Sequence, residues 1–445
     1  MAVLMKILQV VLALSILIAF HELGHFTFSK LFRIRVEKFY LFFDLGGKFL
    51  FSTKKSRWFT RLCPKALDWE TEYGIGWLPL GGYCTIAGMI DESMDLESMK
   101  KEPRPWELRS HPNWQKLLVM AGGVLFNFIL AIVVYIGIVD IWGQSFIPNK
   151  GSKIYVNALA EEMGFRSGDE ILRFDDYAPE GFASLQADLA RRNVHKATVL
   201  RGADTVDIYI DRNMIGDVLN SELMFDLAVP FEIDSVASGS PNGAVLVHGD
   251  RITAFDSVRV AYLQDARPVL AGMAGSSVTA TVERGGETVT VPVEVDSLGR
   301  IGVYMKAPEI IRKEYNFWQA VPAGIKLTGD ILSGYLKDLR LLATPSSGAY
   351  KSVGSFIAIG QVFPAAWDWY RFMYMLALLS VMLGVMNLIP IPGLDGGHIL
   401  FILVEMISGR KPSDKFMAVM QVIGMILLLA LMMLAFGNDI GRLMH

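Results

Sequence analysis

The fold is decided by the stretch Ile16-Leu17-Ile18-Ala19-Phe20-His21-Glu22-Leu23-Gly24-His25-Phe26, which ends an apolar run beginning at Ala2 with the pattern H-E-x-x-H. In a helix over residues 4–30, His21 and His25 are four residues apart and face the same side. Two such imidazoles suit one metal ion, and Glu22 then stands where a general base acts. Because ionisable groups are costly in hydrocarbon, the pattern predicts a metal site rather than a surface helix.

Composition predicts an integral membrane protein with soluble parts. The chain has 445 residues, 52% of them hydrophobic, and a mean hydropathy of +0.37. A net charge of −3 and the lack of a basic, aromatic-rich stripe exclude nucleic acid as a partner. The two cysteines, Cys63 and Cys84, match no C-x-x-C pattern and are expected to be unpaired packing thiols. The first apolar run is expected to be retained, because cleavage after it would destroy the metal pattern.

Four stretches are apolar and long enough to span a membrane as helices, about 4–26, 116–139, 369–390 and 417–436. Basic residues crowd the loop after the first span and the loop before the fourth, which makes both loops cytoplasmic. These residues are Lys30, Arg33, Arg35, Lys38, Lys48, Lys54, Lys55, Arg57, Arg61 and Lys65, and then Arg410, Lys411 and Lys415. Both chain termini and the long segment 140–365 are then extracytoplasmic, and the metal pattern lies toward the cytoplasmic side.

The first loop contains a glycine-rich, partly alternating stretch that is too short to span a membrane. It includes Gly74, Ile75, Gly76, Gly81 and Gly82. We interpret residues 71–87 as a membrane-reentrant β-hairpin with an open edge beside the metal; a surface hairpin is the alternative. An open edge could pair with an extended substrate by strand addition, which makes these five residues candidates for substrate binding.

Segment 140–305 contains an internal repeat at an offset of 81 residues. The pattern G-D-x-I-x-x-F-D occurs at Gly168–Asp175 and again at Gly249–Asp256, and a later A-T-V-x-R-G occurs at Ala197 and Ala280. Two tandem copies of a small α+β domain fit these spacings. Each copy resembles the circularly permuted PDZ domains of bacterial envelope proteases, whose role would be peptide binding or steric gating.

From Phe317 to Leu342, apolar residues recur at helical spacing with charged residues between them. This pattern predicts an amphipathic helix, either on the outer membrane surface or packed against the repeat.

The third span ends in Asn387-Leu388-Ile389-Pro390-Ile391-Pro392-Gly393-Leu394-Asp395-Gly396-Gly397-His398, where prolines and glycines must break the helix. Asp395 is the one carboxylate in this break. With two imidazoles, it would complete a three-ligand set with an open fourth position, typical of catalytic zinc. His398 is a rival ligand, although three residues after Asp395 it better suits a supporting contact.

These elements give a multi-pass α-helical membrane protein with four transmembrane helices, a membrane-reentrant β-hairpin and two tandem PDZ-like α+β domains. The predicted divisions are 1–30 (first helix with H-E-x-x-H), 31–114 (cytoplasmic loop with the hairpin), 115–141 (second helix), 142–222 and 223–305 (PDZ-like domains), 306–366 (extracytoplasmic amphipathic segment), 367–401 (third helix with N-x-x-P-x-P-x-L-D-G) and 402–445 (cytoplasmic turn and fourth helix). A monomer is expected.

The H-E-L-G-H of the first span and the N-x-x-P-x-P-x-L-D-G-G-H after the third resemble the site-2 protease family of intramembrane zinc metalloproteases, over nearly the whole chain. The resemblance implies a Zn²⁺ ion bound by His21, His25 and Asp395, with Glu22 as base and Asn387 holding the substrate. It also implies a bacterial inner membrane and single-pass substrates such as anti-sigma factors or remnant signal peptides, cut after a prior extracytoplasmic cleavage. The insertion from Asp44 to Leu67 departs from the family pattern.

Two functions of other classes are weighed against proteolysis. An intramembrane metal transporter would pass an ion through the His/His/Asp site, but it has no use for the repeats or the glycine-rich edge. An inactive membrane scaffold would use the PDZ-like pair to bind protein tails, and its function would survive the substitution His21→Ala.

Overall fold

The computed structural model describes residues 2–89, 102–221, 223–344, 353–410 and 412–444. Part of the predicted polar connection Asp91–Pro112 therefore lies outside the described residues. The helices are α1 (Ala2–Leu31), α2 (Arg57–Leu62), α3 (Asn113–Trp142), α4 (Ala158–Glu162), α5 (Leu185–Arg191), α6 (Ile215–Asn220), α7 (Leu263–Gly272), α8 (Phe317–Leu342), α9 (Phe356–Val362), α10 (Trp369–Leu388), α11 (Asp395–Ser408) and α12 (Asp414–Met444).

The strands are short and fall into separate sheets. They are β1 (Val36–Phe43), β2 (Phe49–Ser52), β3 (Glu72–Gly76), β4 (Leu78–Ile86), β5 (Gln144–Phe146), β6 (Ile154–Val156), β7 (Glu170–Phe174), β8 (Lys196–Arg201), β9 (Asp204–Tyr209), β10 (Phe225–Leu227), β11 (Ile233–Val236), β12 (Arg251–Phe255), β13 (Val258–Arg259), β14 (Ser277–Arg284), β15 (Glu287–Glu294), β16 (Val303–Met305) and β17 (Ile311–Lys313). The chain divides into a first unit of residues 1–143, 314–336 and 353–445 and a second unit of residues 144–313 and 337–352.

The first unit contains the membrane helices. Within the described residues, four helices are long and apolar enough to cross a membrane, at Ala2–Leu31, Asn113–Trp142, Trp369–Leu388 and Lys415–Gly441. Each of the four predicted spans coincides with one of these helices to within a few residues. Buried residues of α1, α3 and α10, among them Leu17, Leu130 and Phe372, form a common core.

A four-stranded sheet lies beside α1, with strand order β2-β3-β1-β4. β3 pairs in parallel with one side of β1, and β4 pairs antiparallel with the other side. The predicted hairpin over residues 71–87 is therefore wrong, because its two strands are neighbours in sequence but β1 lies between them. Strand pairing here is set by the more distant segment 36–43, which the local glycine pattern does not reveal.

This topology divides the five candidate substrate-binding residues of the sheet. Gly81 and Gly82 lie in β4, an edge strand of the sheet. Gly74, Ile75 and Gly76 lie in β3, whose two sides are already paired with β1 and β2. A side chain at Gly74 would strike the Tyr40 ring, and one at Gly76 would strike the backbone of Phe43. The glycines of β3 are thus required for packing, and strand addition to β3 is excluded.

The third predicted division, 367–401, is two helices rather than one. α10 ends at Leu388, and α11 begins at Asp395 after a turn in which Gly393 has a φ of 99°. The turn is forced by Pro390 and Pro392, since a proline cannot donate a helical hydrogen bond. The break was expected, but the new helix that follows it was not.

The second unit contains both copies of the repeat. β6, β7, α5, β8, β9 and β10 of the first copy correspond in order to β11, β12, α7, β14, β15 and β16 of the second. In each copy the first strand pairs antiparallel with the last, β6 with β10 and β11 with β16. Since β10 ends at Leu227, the predicted boundary between 222 and 223 is too early. The first copy extends about five residues further.

The repeated sequence positions make the same contacts in both copies. Asp169 and Asp250 are buried, and each accepts two hydrogen bonds from an arginine, Arg201 or Arg284, at 2.7–2.8 Å. The aspartates that end the two patterns, at positions 175 and 256, both have a left-handed φ, 46° and 47°. The G-D and A-T-V-x-R-G patterns therefore recur because they build one buried ion pair per copy.

α8 has the predicted bounds, Phe317–Leu342. In the first unit, its Gly324 lies so close to α3 that a side chain there would come within 2.7 Å of Ile136. In the second unit, its Asp338 accepts two hydrogen bonds of 2.7 Å from Arg191. The contacts favour the alternative that this helix packs against protein.

The buried pair in the second copy predicts a pH dependence of stability. Burial alone would raise the pKa of Asp250, but hydrogen bonds from Arg284 and the Val247 amide outweigh it and lower the pKa. A carboxyl whose pKa is lower in the folded state stabilises fully above its unfolded pKa of about 3.9, and this stabilisation is lost as the pH falls through the folded value. Asp250→Asn should lower stability at pH 7 by roughly 1–3 kcal/mol and flatten this acid dependence.

Urea-dependent pulse proteolysis of the detergent-solubilised protein, following the segment after residue 228, measures both effects. Glu287→Gln, at an exposed position of β15, is the matched control. Equal acid sensitivity of the Asp250→Asn variant and the parent would contradict the assignment.

Candidate metal centre

The centre is built where α1 and α3 touch. A side chain at Gly24 would strike the carbonyl of Gly122, so only glycine allows these two backbones to approach so closely. A side chain at Gly123 would come within 2.5 Å of His25 Nε2 and 2.6 Å of the His21 ring. The small residues of α3 therefore make room for both imidazoles between the helices.

Three side chains converge in this space. His21 Nε2 is 3.3 Å from His25 Nε2. Asp395 Oδ2 is 3.1 Å from His21 Nε2 and 3.4 Å from His25 Nε2. The side chains of His21, His25 and Asp395 are 12%, 9% and 16% exposed, so little solvent reaches the three atoms. The sequence-predicted ligand set is thus brought together from segments 370 residues apart.

The triangle fits zinc. Atoms bonded at about 2.0–2.1 Å to a tetrahedral zinc lie about 3.3–3.4 Å from one another, close to the three separations of 3.1, 3.3 and 3.4 Å. Asp395 Oδ2 is buried without a hydrogen-bond donor among the described residues, as an oxygen that binds a cation would be. Two nitrogens and one carboxylate oxygen leave a fourth position open, which is typical of catalytic zinc.

The remote nitrogen of each imidazole is held by α3. His25 Nδ1 is 2.8 Å from the carbonyl of Val119, which accepts its proton and directs Nε2 toward the centre. His21 Nδ1 is 3.1 Å from the Asn127 amide, whose Oδ1 is buried without a described partner. With Nε2 facing a metal, His21 Nδ1 carries the proton, so the amide oxygen of Asn127 belongs opposite it.

Asp395 is placed by the start of α11. It is the first residue of this helix, where the helix dipole favours a negative charge. A side chain at Gly396 would strike the carbonyl of Ile389, and one at Gly397 would lie 2.6 Å from the carbonyl of Ile391. These two glycines let the helix start fold back tightly on the preceding turn and aim Asp395 at the imidazoles.

Glu22 directly follows His21 on α1, and it is partly buried. Burial, and then the charge of Glu22, raise the pKa of the Cys84 thiol in β4. A side chain at Gly82 of β4 would come within 2.9 Å of Ile18, which is one helical turn before Glu22 on the same face of α1. The open-edged strand therefore runs along the Glu22 side of the helix.

Two other predicted residues are outside the triangle. Asn387 is the penultimate residue of α10 and partly buried, eight residues before Asp395. His398 is in the first turn of α11 and lines a cavity of about 100 Å³ together with Met120 and Lys116. Among the described residues, the potential ligand atoms that lie within 4.8 Å of one another belong to His21, His25 and Asp395. His398 is not part of this cluster. The preference for Asp395 over its rival agrees with this geometry.

Sequence reasoning missed the part that α3 plays in the centre. The side chain of Asn127 contacts a predicted ligand, and its backbone carbonyl accepts a 2.7 Å hydrogen bond from Ser380 of α10. A polar residue within an apolar span was the available signal. No sequence signal marks the backbone carbonyl of Val119.

The chain belongs to peptidase family M50, whose model matches residues 9–431. It is an intramembrane zinc metalloprotease of the site-2 type, as the two motifs predicted.

Among individual proteins, it is similar to the regulator of sigma-E protease RseP of Escherichia coli, with 29% identity covering 97% of this chain and 98% of the relative. The RseP of Salmonella typhimurium is 27% identical with full coverage of both chains, 100% and 100%. A protein of Ralstonia nicotianae named as a zinc metalloprotease is 28% identical over 99% of each chain. These relatives and the apolar helices indicate a bacterial inner-membrane protein.

The contact between Asn127 and His21 predicts a role in metal affinity. Asn127→Leu removes the acceptor for His21 Nδ1–H, and losing such a partner typically weakens metal binding 10- to 100-fold. Zinc competition with a chromophoric chelator on purified protein measures this directly. Asn113→Leu, about four turns earlier on α3, is the matched control and should bind zinc like the parent. Unchanged zinc affinity of Asn127→Leu would contradict the role.

Proposed function

We propose that this protease hydrolyses peptide bonds within the transmembrane segments of single-pass proteins that have first been shortened by an extracytoplasmic cut. His21, His25 and Asp395 bind the zinc ion, and Glu22 is the general base. The observation that carries the assignment is the 3.1–3.4 Å triangle of ligand atoms beside Glu22, inside a unit made of membrane helices.

The chemistry needs a proton carrier at the scissile bond. When bound, zinc polarises the scissile carbonyl and acidifies the attacking water. Glu22 takes the proton from this water as its oxygen attacks the carbonyl carbon, and then delivers the proton to the leaving amide nitrogen. The low exposure of the three ligands limits competing water, and the Val119 carbonyl and Asn127 keep both imidazoles in the required orientation.

A transmembrane helix hides its peptide bonds in its own hydrogen bonds, so it must be unwound before cleavage. We assign this task to the open edge of β4, around Gly81 and Gly82, because β4 runs along the Glu22 side of α1. Strand addition replaces the hydrogen bonds that the substrate loses and holds it extended. Asn387, near the end of α10, is proposed to hold the substrate close to the cleaved bond.

The remaining parts set access and orientation. The two copies of the repeat are proposed to be PDZ-like domains that bind peptide ends or exclude bulky substrates. Following the excess of basic residues in the first loop, we place both termini and the repeats outside the cytoplasm and the metal centre near the cytoplasmic side. The proposed substrates are anti-sigma-factor-like proteins of envelope stress signalling and remnant signal peptides, and the protein is proposed to act as a monomer.

Glu22→Gln tests the catalytic assignment. The amide cannot accept the proton, so cleavage of a model single-pass substrate in proteoliposomes should fall by about 100- to 10,000-fold. Zinc content should stay at the parent level, because Glu22 is not a ligand. Glu37→Gln, at an exposed position of β1, is the control and should cleave normally. Parent-level cleavage by Glu22→Gln would overturn the role, and zinc flux without cleavage by the parent would favour transport.

The substrate-binding edge is tested with neighbouring proline substitutions in β4, Cys84→Pro and Thr85→Pro. Consecutive strand amides point to opposite sides, so one substitution removes an outward amide and the other a hydrogen bond to β1. The substitution that removes the outward amide should leave folding unchanged but abolish cleavage. The substitution that removes the hydrogen bond to β1 should lower the melting temperature. Leu50→Pro, in the opposite edge strand β2, is the control for cleavage. If both variants fold and both cleave the substrate at the rate of the parent, β4 is not the strand to which the substrate binds.

A further inference from the structure

The insertion, residues 44–67, projects a set of apolar side chains that the rest of the described protein does not cover. It forms β2, α2 and the turns around them, at the end of the sheet opposite β4. Its large exposed apolar side chains are Leu45, Leu50, Trp58, Leu62 and Leu67, with exposures of 54–78%. Five such side chains within 24 residues suit an environment less polar than water.

Apart from Asp44, which accepts a hydrogen bond from Tyr83, every charged residue of the insertion is basic. Residues 45–67 contain six basic residues and no acidic one, although the chain as a whole has a net charge of −3. These residues are Lys48, Lys54, Lys55, Arg57, Arg61 and Lys65. Lys55 pairs with Glu72 at 3.1 Å, and the others form no ion pair within the described parts of the chain. Aromatic and aliphatic side chains interspersed with bases are typical of segments that lie in the membrane interface.

The position of the insertion agrees with that environment. Lys30, in the last turn of α1, pairs with Glu70 at 2.5 Å, so residue 70 lies at the level where this membrane helix ends. The neighbouring Trp69 contacts the ring of Phe59 in α2, with 6.5 Å between ring centres. α2 is therefore held near the depth of the helix end, where the hydrocarbon meets the headgroups.

We propose that the insertion is an interfacial anchor that binds the anionic phospholipid surface of the membrane in which α1 is embedded. Trp58 and Leu62 enter the headgroup boundary, and Lys48, Lys54, Arg57, Arg61 and Lys65 contact lipid phosphates. The choice of a lipid surface over a protein partner follows from the strong excess of positive charge, six basic residues against one acidic residue, and from the depth of α2. The proposal depends on the membrane embedding of α1 and not on the catalytic assignment.

Anchoring at α2 would be transmitted through the sheet as a unit. Glu72 of β3 accepts hydrogen bonds from Tyr40 of β1 at 2.5 Å and from Ser52 of β2 at 2.8 Å. Tyr40 also stacks on Tyr83 of β4, with 5.3 Å between ring centres. Side chains therefore join all four strands, and lipid contact at one end fixes the height of the open edge at the other.

Site-directed spin labelling of the full-length protein in nanodiscs tests the proposal. A label at Leu62→Cys, in a Cys63→Ser/Cys84→Ala background, should be accessible to oxygen and protected from a water-soluble nickel reagent. A label at Asp204→Cys in β9, an exposed position of the second unit, should be accessible to the nickel reagent. Protection should be greater in mixed phosphatidylglycerol and phosphatidylcholine than in phosphatidylcholine alone.

Charge removal provides the second comparison. Each base near an anionic surface favours binding roughly fivefold. In anionic lipid, the triple variant Arg57→Gln/Arg61→Gln/Lys65→Gln should therefore lower the equilibrium constant for docking of the insertion on the lipid surface on the order of 100-fold, seen as a higher nickel accessibility at position 62. Glu37→Gln is the control for charge change elsewhere in the sheet. Nickel accessibility at position 62 equal to that at position 204 in both lipids would overturn the proposal. Protection that requires added cytosolic protein, or that coincides with short label-to-label distances, would assign the surface to a protein partner or a second copy instead.

Discussion

The structure depends on the close approach of α1 and α3 at Gly24 and Gly122. Ionisable groups inside an apolar helical unit are stable only when they are gathered onto a common partner. Here the glycines bring two backbones together, so that His21 and His25 meet the carbonyl of Val119 and the amide of Asn127. Larger residues at these positions would separate the helices, and each imidazole would lose the partner that orients it.

The third predicted ligand, Asp395, is positioned in a different way, by the break between α10 and α11. A continuous helix would carry residue 395 about two turns beyond residue 388 on the same axis. Pro390 and Pro392 end the first helix, and Gly396 and Gly397 permit the next to start directly against it. The break interrupts the helical hydrogen bonds at membrane depth. Turn hydrogen bonds from the Ile391 and Leu394 amides to the carbonyls of Ile389 and Ile391 replace part of them.

The sequence predicts the parts of this protein whose signals are local or repeated. The four spans, the helix Phe317–Leu342, the duplicated fold and the His/His/Asp set all follow from periodicity, repetition or motif chemistry. The sheet was mispredicted because β3 and β4 are neighbours in sequence, while their hydrogen-bonding partner β1 lies some thirty residues earlier. The hydrogen bond between His25 and the carbonyl of Val119 could not be predicted from the sequence, because every residue has a backbone carbonyl.

The four-stranded order explains better than a hairpin would why the edge of β4 can remain unpaired. In a two-stranded hairpin both edges are exposed and the pairing is marginally stable. In the observed order, β1 and β3 are paired on both sides. Among the described residues, β4, whose Gly82 lies against Ile18 of α1, is paired on one side only. An unpaired edge is normally a liability that proteins cover. A strand that is paired on one side only, beside the proposed catalytic carboxylate of Glu22, can stay folded without a substrate and still pair with one, because three other strands stabilise the sheet.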